Sequence, residues 1–190
     1  MPTMFVRIPE DRVGVLIGPN GSTKREIARW TRTIVEIDAE EGEVTVTGAD
    51  DDPSGVLTAR DIVAAIGRGF SPERARRLLT PETYLGVVDL KQATPHREKS
   101  ALRRIRARLI GSDGRARRRI EELSGASVSV YGSTVAVIGT ERQIEHAVQA
   151  IEMLVRGSEH STVFHLLARW RRTDALADAL DRGDDAGAGE

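Results

Sequence analysis

The sequence contains an internal repeat, which limits the possible folds more than any other feature of the chain. A shift of 93 residues superposes residues 16–37 on residues 109–130, with a pair of glycines three positions apart in both copies. A shift of 91 residues then matches residues 44–48 with 135–139, so the second copy has lost two residues in a hairpin turn. Two copies of one structural unit are therefore predicted.

Each copy has the hydrophobic periodicity of an α+β unit with the order β-α-α-β-β-α. The first copy is predicted to contain a strand at 4–8, a helix at 11–17, a helix capped by Ser22, a hairpin that turns at Gly42, and a helix that opens at Asp52-Pro53. The second is predicted to contain a strand at 84–89, helices at 98–110 and 115–124, strands at 127–131 and 134–138, and a helix at 141–155. Arg32 occupies the repeat position of Gly125, where glycine suits a left-handed helix end, so a different helix exit is predicted in the first copy.

These elements predict two tandem domains joined by a short, packed linker. The linker contains a short helix from Ser71-Pro72-Glu73 to Leu79. A later helix from Thr162 has one apolar face, and we expect this face to dock on the second domain rather than on a partner. The predicted boundaries are 1–70 for the first domain, 71–82 for the linker, 83–157 for the second domain, 158–181 for the C-terminal helix and 182–190 for a disordered acidic tail.

Charge is segregated along the chain, although the formal net charge is only -1. Residues 101–120 contain eight arginines and one acid, Asp113, which makes this segment a candidate phosphate-binding face. A solvated helix face is the plain alternative. Residues 36–52 hold eight acids and no base, and the tail from Asp174 holds six acids against Arg182. A polyanionic partner is therefore expected at the arginine-rich segment and not at the acidic ones.

The composition argues against several other functions. No apolar run approaches the roughly 18 residues of a membrane helix, and the N-terminus lacks a secretory pattern, so a cytoplasmic location is expected. The chain has no cysteine, and its four histidines lack zinc-ligand spacing, so no metal or cofactor is expected. A nucleophile–base pair and a Walker loop are missing, and helix capping ahead of Pro53 explains the run Asp50-Asp51-Asp52. An enzyme is therefore not expected.

The order β-α-α-β-β-α, with Ile-Gly-x-x-Gly between the first two helices, resembles a type I KH domain that is present twice. Residues without Cβ let the loop backbone approach a sugar-phosphate chain, while the helix ends direct amide dipoles toward phosphate. The resemblance implies that four unpaired nucleotides lie between the loop and an apolar platform. Candidate platform residues, most of which are expected to be core residues, are Ile27, Val35 and Ile37 in the first copy and Ile120, Val128 and Val130 in the second.

A closer resemblance covers residues 3–173. The blocks 12–18, 120–139 and 150–157 are similar to the archaeal two-KH ribosome-assembly proteins, counterparts of the eukaryotic small-subunit maturation factor that partners the Nob endonuclease. This resemblance implies a single-stranded RNA-binding protein that binds the 3′ end of small-subunit rRNA during ribosome assembly and pre-rRNA maturation. It also implies contacts with the Nob-type endonuclease and the alpha subunit of translation initiation factor two. Two alternatives stay open: a general KH-type regulator of other RNAs, and a protein-binding adaptor with degenerate KH loops.

The residues between the loop glycines depart from the KH pattern, which commonly has a basic residue there. Because one loop holds Pro19-Asn20 and the other Ser112-Asp113, neighbouring cations must attract the phosphates, and the second domain is expected to bind more strongly. Five arginines on phosphates would give a log-log salt slope of about -3 to -4. The candidate RNA-binding residues are Gly18, Pro19, Asn20, Gly21, Lys24 and Arg25 in the first copy, and Arg104, Arg108, Gly111, Ser112, Asp113, Gly114, Arg115, Arg117 and Arg118 in the second.

Overall fold

A computed structural model describes residues 1–48, 53–93 and 99–185, with the backbone alone for residues 181–185. Each sequence copy forms a three-stranded antiparallel sheet with helices packed on one face, which confirms the predicted α+β class. The elements of the first half are β1 (Thr3–Arg7), α1 (Glu10–Ile17), α2 (Ser22–Thr31), β2 (Thr33–Asp38), β3 (Glu43–Gly48), α3 (Pro53–Gly67) and α4 (Pro72–Ala75). Those of the second half are β4 (Tyr84–Asp89), α5 (Leu90–Ala93), α6 (Lys99–Ile110), α7 (Arg115–Ser124), β5 (Ser127–Tyr131), β6 (Thr134–Gly139), α8 (Glu141–Val155) and α9 (His160–Asp185).

The two sheets have the same topology, with strand order β1-β3-β2 in the first and β4-β6-β5 in the second. Side chains alternate between the faces of a strand, and the valines on the helix-facing side of each central strand are fully buried. The turn between β2 and β3 spans residues 39–42, whereas the turn between β5 and β6 contains only Gly132 and Ser133. This difference accounts for the two residues that separate the shifts of 93 and 91.

The helix α5 was not predicted from the sequence. The Asp89 side chain accepts a hydrogen bond from the Lys91 amide at 2.8 Å, and Leu90 is fully buried. These local contacts stabilise a turn that is too short to show a helical periodicity. Residues 94–98 lie outside the described residues, as do the predicted helix start at residue 98 and the run Asp50-Asp51-Asp52.

The predicted cap at Ser22 is wrong. The helix α2 begins at Ser22 itself, and the preceding Gly21 has the left-handed conformation, with φ 72° and ψ 21°. The cap position therefore has no side chain that could bond the first amides of the helix. The same arrangement recurs at Gly114, ahead of α7, so both helices start from a glycine with no side-chain cap.

The predicted difference between Arg32 and Gly125 is also wrong. Arg32 has φ 54° and ψ 42°, and its amide donates to the Ala28 carbonyl, as the Gly125 amide does to the Glu121 carbonyl. Both helices therefore end in a left-handed residue. The Arg32 residue carries the backbone strain that a Cβ atom brings to this conformation, whereas Gly125 does not.

Replacing Arg32 with glycine is expected to stabilise the protein by about 1 kcal/mol, because it removes the left-handed strain while the exit geometry stays the same. Replacing Arg29, inside α2, with glycine is the matched control and should destabilise by a similar amount, about 1 kcal/mol. Chemical denaturation of both variants measures the two effects. If both variants lose stability, the left-handed residue at position 32 carries no strain.

The linker packs against the outer face of the second sheet, opposite the helices of that domain. Ala136 and Ile138 of β6 are fully buried on this face, in one apolar cluster with Phe70 and Leu78. Ser71 caps α4 by accepting a hydrogen bond from the Arg74 amide. The predicted linker helix to Leu79 is present as α4 followed by a 3₁₀ turn at Arg76–Leu79, and it is packed on the second sheet.

Polar contacts fix the position of the linker and of the end of α3 on the second sheet. Arg68 donates to the Thr134 hydroxyl at 3.1 Å, while its carbonyl accepts from the Ser129 hydroxyl at 3.0 Å. Arg77 donates to the Ser127 hydroxyl at 3.1 Å. The segment that covers the second sheet thus has apolar side chains at its centre and arginines at its edges.

A second contact joins the domains through Tyr131. Its hydroxyl donates to the Asp11 carboxylate, and burial, followed by this hydrogen bond, raises the pKa of Tyr131. The Arg12 guanidinium lies 5.7 Å from the Tyr131 ring centroid and donates to the carbonyls of Ile66 and Phe70. The N-terminal turn of α1 is therefore part of the domain contact.

The C-terminal helix α9 packs on α7 and α8, where Val163 and Leu167 are buried in the core of the second domain. Docking of its apolar face on this domain is confirmed. The helix continues to Asp185, so the predicted start of disorder at residue 182 is wrong. Alanine and leucine between Asp174 and the end of α9 favour a continuing helix, and residues 186–190 lie outside the description. Within the described part of the chain, no helix is both long and apolar enough to span a membrane.

Candidate nucleic-acid interface

The two Gly-x-x-Gly loops have nearly the same backbone. Gly18 has φ 71° and ψ 176°, and its counterpart Gly111 has φ 72° and ψ 175°. Asn20 and Asp113 are both left-handed, with φ 51° and 52°. Each loop makes one 3₁₀ turn and then enters a helix of ten residues. The repeat in sequence is therefore also a repeat in loop geometry.

The first glycine of each loop is required by packing as well as by backbone conformation. A Cβ atom on Gly18 would lie 2.9 Å from the Thr23 amide nitrogen, and one on Gly111 would lie 2.8 Å from the Ala116 amide nitrogen. The loop thus crosses directly over the first turn of the next helix, where only glycine fits. Access for RNA was the role predicted for these glycines, and close packing within the protein is a further role that the sequence did not reveal.

The residues between the glycines are also explained by the backbone. Asn and Asp tolerate the left-handed region better than other residues with a side chain, because their short polar groups bond locally. Asn20 and Asp113 occupy this region in their loops. The negative charge of Asp113 therefore accompanies a conformational preference, and an asparagine would satisfy the same preference without the charge.

Both loops lead into helix N-termini that can bind an anion. Because Gly21 and Gly114 offer no capping side chain, amides in the first turns of α2 and α7 have no side-chain cap acceptor. The helix dipole adds a partial positive charge at the same place. A phosphate group matches both features.

Two of the predicted arginines of the second copy are held by the protein itself. Arg108 donates to the Ser158 carbonyl at 2.6 Å, and Arg117 donates to the Glu121 carboxylate at 3.0 Å. The Arg108 carbonyl is also 2.8 Å from the His160 Nε2 atom. These contacts connect α6 to the start of α9 and α7 to itself, so both arginines shape the surface around the loop.

Three predicted arginines remain available beside the second loop. Arg104, Arg115 and Arg118 are exposed and make no hydrogen bond or ion pair with the described residues. The Arg118 guanidinium folds over the loop, since a Cβ atom on Gly114 would lie 3.3 Å from its nitrogen. Arg115 and Arg118 lie in the first turn of α7, and Arg104 lies on α6, seven residues before Gly111. We call these three residues the arginine cluster.

The first loop has a weaker positive field. Arg25 donates to the Asn20 carbonyl at 2.7 Å and so closes its own loop, while Lys24 is half-buried on α2. The acids of residues 36–43 lie in the same domain. Weaker anion binding at the first copy stays a prediction.

Most of the candidate platform residues are core residues. Ile27, Val35, Ile120 and Val128 are at most 3% exposed and belong to the two cores, as expected. The half-buried members are Ile37 and Val130. Sequence reasoning missed Ile110, which is 36% exposed directly before Gly111. Its signal was the Ile-Gly pair that appears in both copies.

Two three-stranded sheets with β-α-α-β-β-α order and a glycine loop between the first two helices define a protein with two KH modules. Comparison with protein families agrees: a model of the eukaryotic type KH domain (KH-domain type I) matches residues 84–172, and a KH domain model matches residues 3–65. A KH domain-containing protein of Methanocaldococcus jannaschii is 46% identical over 170 residues, which cover 88% of this chain and 74% of that protein. The chain therefore belongs to the family of KH domain-containing proteins.

Solved structures extend the similarity to three dimensions. Dim2p from Pyrococcus horikoshii, whose crystal structure is known, shares 53% sequence identity with this chain. The two structures superpose with a TM-score of 0.84, and the match covers 89% of this chain and 99% of Dim2p. A second structure from the same organism, an a/eIF2alpha-aDim2p-rRNA complex, contains a chain that is 52% identical, with a TM-score of 0.85 and coverage of 90% and 95%. The resemblance to archaeal two-KH proteins is confirmed.

Proposed function

We propose that this protein binds single-stranded RNA, with the main site at the second KH loop. The observation that carries the proposal is that Arg115 and Arg118 of the arginine cluster lie in the first turn of a helix without a side-chain cap. Positive charge at a helix N-terminus opposes the helix dipole and costs stability, so Arg115 and Arg118 are unfavourable for the isolated fold. A phosphate placed between the two arginines would make their contribution favourable, because it attracts both the guanidinium groups and the positive end of the helix dipole.

The proposed target is the 3′ end of small-subunit rRNA during ribosome assembly and pre-rRNA maturation. This part is supported by the Pyrococcus relative, whose complex contains rRNA. The same complex contains a/eIF2alpha, so the alpha subunit of initiation factor two is a proposed protein partner. A Nob-type endonuclease is proposed as a second partner from the family resemblance. The protein would act by binding, without a catalytic step of its own, and in the cytoplasm.

Within this site, the residues divide into two roles. Arg104, Arg115 and Arg118 would contact phosphates. Arg108 and Arg117 would maintain the shape of the surface around the second loop. Three phosphate contacts correspond to a log-log salt slope of about -2 for a single strand, which is shallower than five contacts would give. The first loop, with Lys24 and Arg25, would add a weaker second contact to a long RNA.

The test compares an oligonucleotide from the 3′ end of small-subunit rRNA with a scrambled strand of equal length and composition. Fluorescence anisotropy at several salt concentrations gives the affinity and the salt slope. The proposal predicts tighter binding of the rRNA strand and a slope near the expected value. Equal affinity for both strands would identify a general RNA binder, and no affinity for either would identify a protein-binding adaptor.

Replacing Asp113 with asparagine is expected to tighten RNA binding by about threefold to fivefold, because a charge that repels phosphate is removed. Asparagine tolerates the left-handed backbone of this position, so stability should not change. Lysine would also tighten binding but would strain the backbone. An unchanged affinity of the asparagine variant would mean that this loop does not contact the RNA.

A further inference from the structure

The outer face of the first sheet, opposite its helices, is not covered by any of the described residues. Phe5 on β1 is 66% exposed and Ile34 on β2 is 60% exposed. By strand register, Phe5 lies opposite Thr45 and Ile34 lies opposite Thr47, so the threonines of the central strand connect them. We call this set of four residues the first-sheet face.

The equivalent face of the second sheet is covered by this chain itself. The repeat places Ala136 at the position of Thr45 and Ile138 at the position of Thr47, and both are fully buried beneath the end of α3 and the linker. The protein therefore contains an example of the element that packs on such a face. It consists of the end of α3, the turn that contains Arg68 and Phe70, and the short linker helix with the 3₁₀ turn that follows it. Apolar side chains lie at its centre and arginines at its edges.

The edges of the two faces differ in charge. Thr134, which accepts from Arg68, corresponds to Glu43 in the first sheet, and Ser129 corresponds to Glu36. Both glutamates are exposed, and Arg7 opposite Glu43 is the one base that the register places beside them. At the Glu43 position, a basic side chain from a docking element would thus meet a carboxylate where the Arg68 side chain meets the Thr134 hydroxyl. At the Glu36 position, the carboxylate replaces a serine hydroxyl that donates to the Arg68 carbonyl, so it also favours a cation on the docking element. The same carboxylates would repel RNA.

We propose that the first-sheet face binds an α-helical segment of a protein partner, in the manner in which the linker covers the second sheet. The partner segment has apolar side chains that cover Phe5 and Ile34, and arginine or lysine residues that pair with Glu36 and Glu43. Each glycine loop connects two helices that pack on the opposite face of its sheet, so the protein can hold RNA at the second domain and a protein helix at the first.

The test uses the intact chain and a probe taken from its own sequence. The probe is a synthetic peptide of residues 62–79, the segment that covers the second sheet, with a scrambled peptide of equal composition as its control. The double variant Phe5→Ser/Ile34→Ser removes the apolar contacts. Leu57→Ser is the matched control, because Leu57 is a 44% exposed apolar residue of α3 in the same domain.

The peptide is expected to bind the wild-type chain and the Leu57→Ser variant equally, and to bind the double variant about tenfold more weakly or worse. All three proteins should bind the rRNA oligonucleotide alike, which separates this proposal from that of RNA binding. The proposal is overturned if the peptide does not bind the wild type, if the scrambled peptide binds equally well, or if the double variant keeps its affinity. Loss of RNA binding in the double variant would show that RNA, and not a protein helix, occupies the face.

Discussion

Replacing Arg115 and Arg118 together with alanine is expected to weaken single-stranded RNA binding by about 30-fold. Each lost charge-assisted contact on this exposed surface costs about 1 kcal/mol, which is roughly fivefold in affinity. The log-log salt slope should become shallower by about 1.4, since two phosphate contacts are lost. Titration of a labelled oligonucleotide at several salt concentrations measures both quantities.

Stability distinguishes this effect from damage to the fold. Both arginines lie in the first turn of α7 without a protein partner among the described residues. Alanine removes their unfavourable interaction with the positive end of the helix dipole. The melting temperature of the double variant should therefore stay the same or rise slightly. Arg142→Ala is the matched control, because Arg142 lies at the start of α8 and pairs with Asp174 and Asp178. If it weakens RNA binding as much as the double variant does, the site is not at the second loop.

Replacing Gly111 with alanine is expected to destabilise the protein by about 3 kcal/mol. The backbone of Gly111 lies in a region that residues with a side chain avoid, at a cost of about 1–3 kcal/mol. The added Cβ would also lie 2.8 Å from both the amide nitrogen and the Cβ of Ala116, which adds a steric cost of similar size, about 1–3 kcal/mol. For a chain of this size the melting temperature should fall by about 6–12 °C.

Gly132 supplies the control for this variant. It also has a positive φ, 56°, but a Cβ atom there would meet nothing within 4 Å. Gly132→Ala should therefore cost about 1 kcal/mol, from the backbone alone. Circular dichroism melting curves compare the two variants directly. Equal losses would mean that contact with Ala116 contributes nothing, and the packing argument for the first loop glycine would be wrong.

The order of helices and strands could be predicted because the same pattern occurs twice in the sequence. The helix α7 and the strand β5 were placed at their observed bounds, since apolar periodicity, glycines and turn residues agree there. The helix α5 and the exit at Arg32 were not predicted correctly. The helix α5 rests on a single side-chain hydrogen bond and the burial of Leu90, which give no helical periodicity. The exit at Arg32 keeps a left-handed conformation that its residue type does not favour.

The candidate site was predicted less completely than the fold. The loop residues and the arginine segment were found from the repeat and the charge. That Arg117 pairs with Glu121 could have been recognised from the spacing of four residues on a helix. That Arg108 donates to the Ser158 carbonyl could not be predicted, because tertiary packing alone brings α6 close to the connection between α8 and α9. The number of arginines without a protein partner, and thus the expected salt dependence of RNA binding, could be obtained only from the structure.

The most direct test of the central claim is crosslinking of RNA to the protein in cells that express it, followed by sequencing of the attached fragments. The account predicts that fragments accumulate at the 3′ end of small-subunit rRNA precursors and that the Arg115→Ala/Arg118→Ala variant loses them, while Arg142→Ala keeps them. Fragments scattered over messenger RNAs, or an unchanged pattern in the double variant, would contradict it.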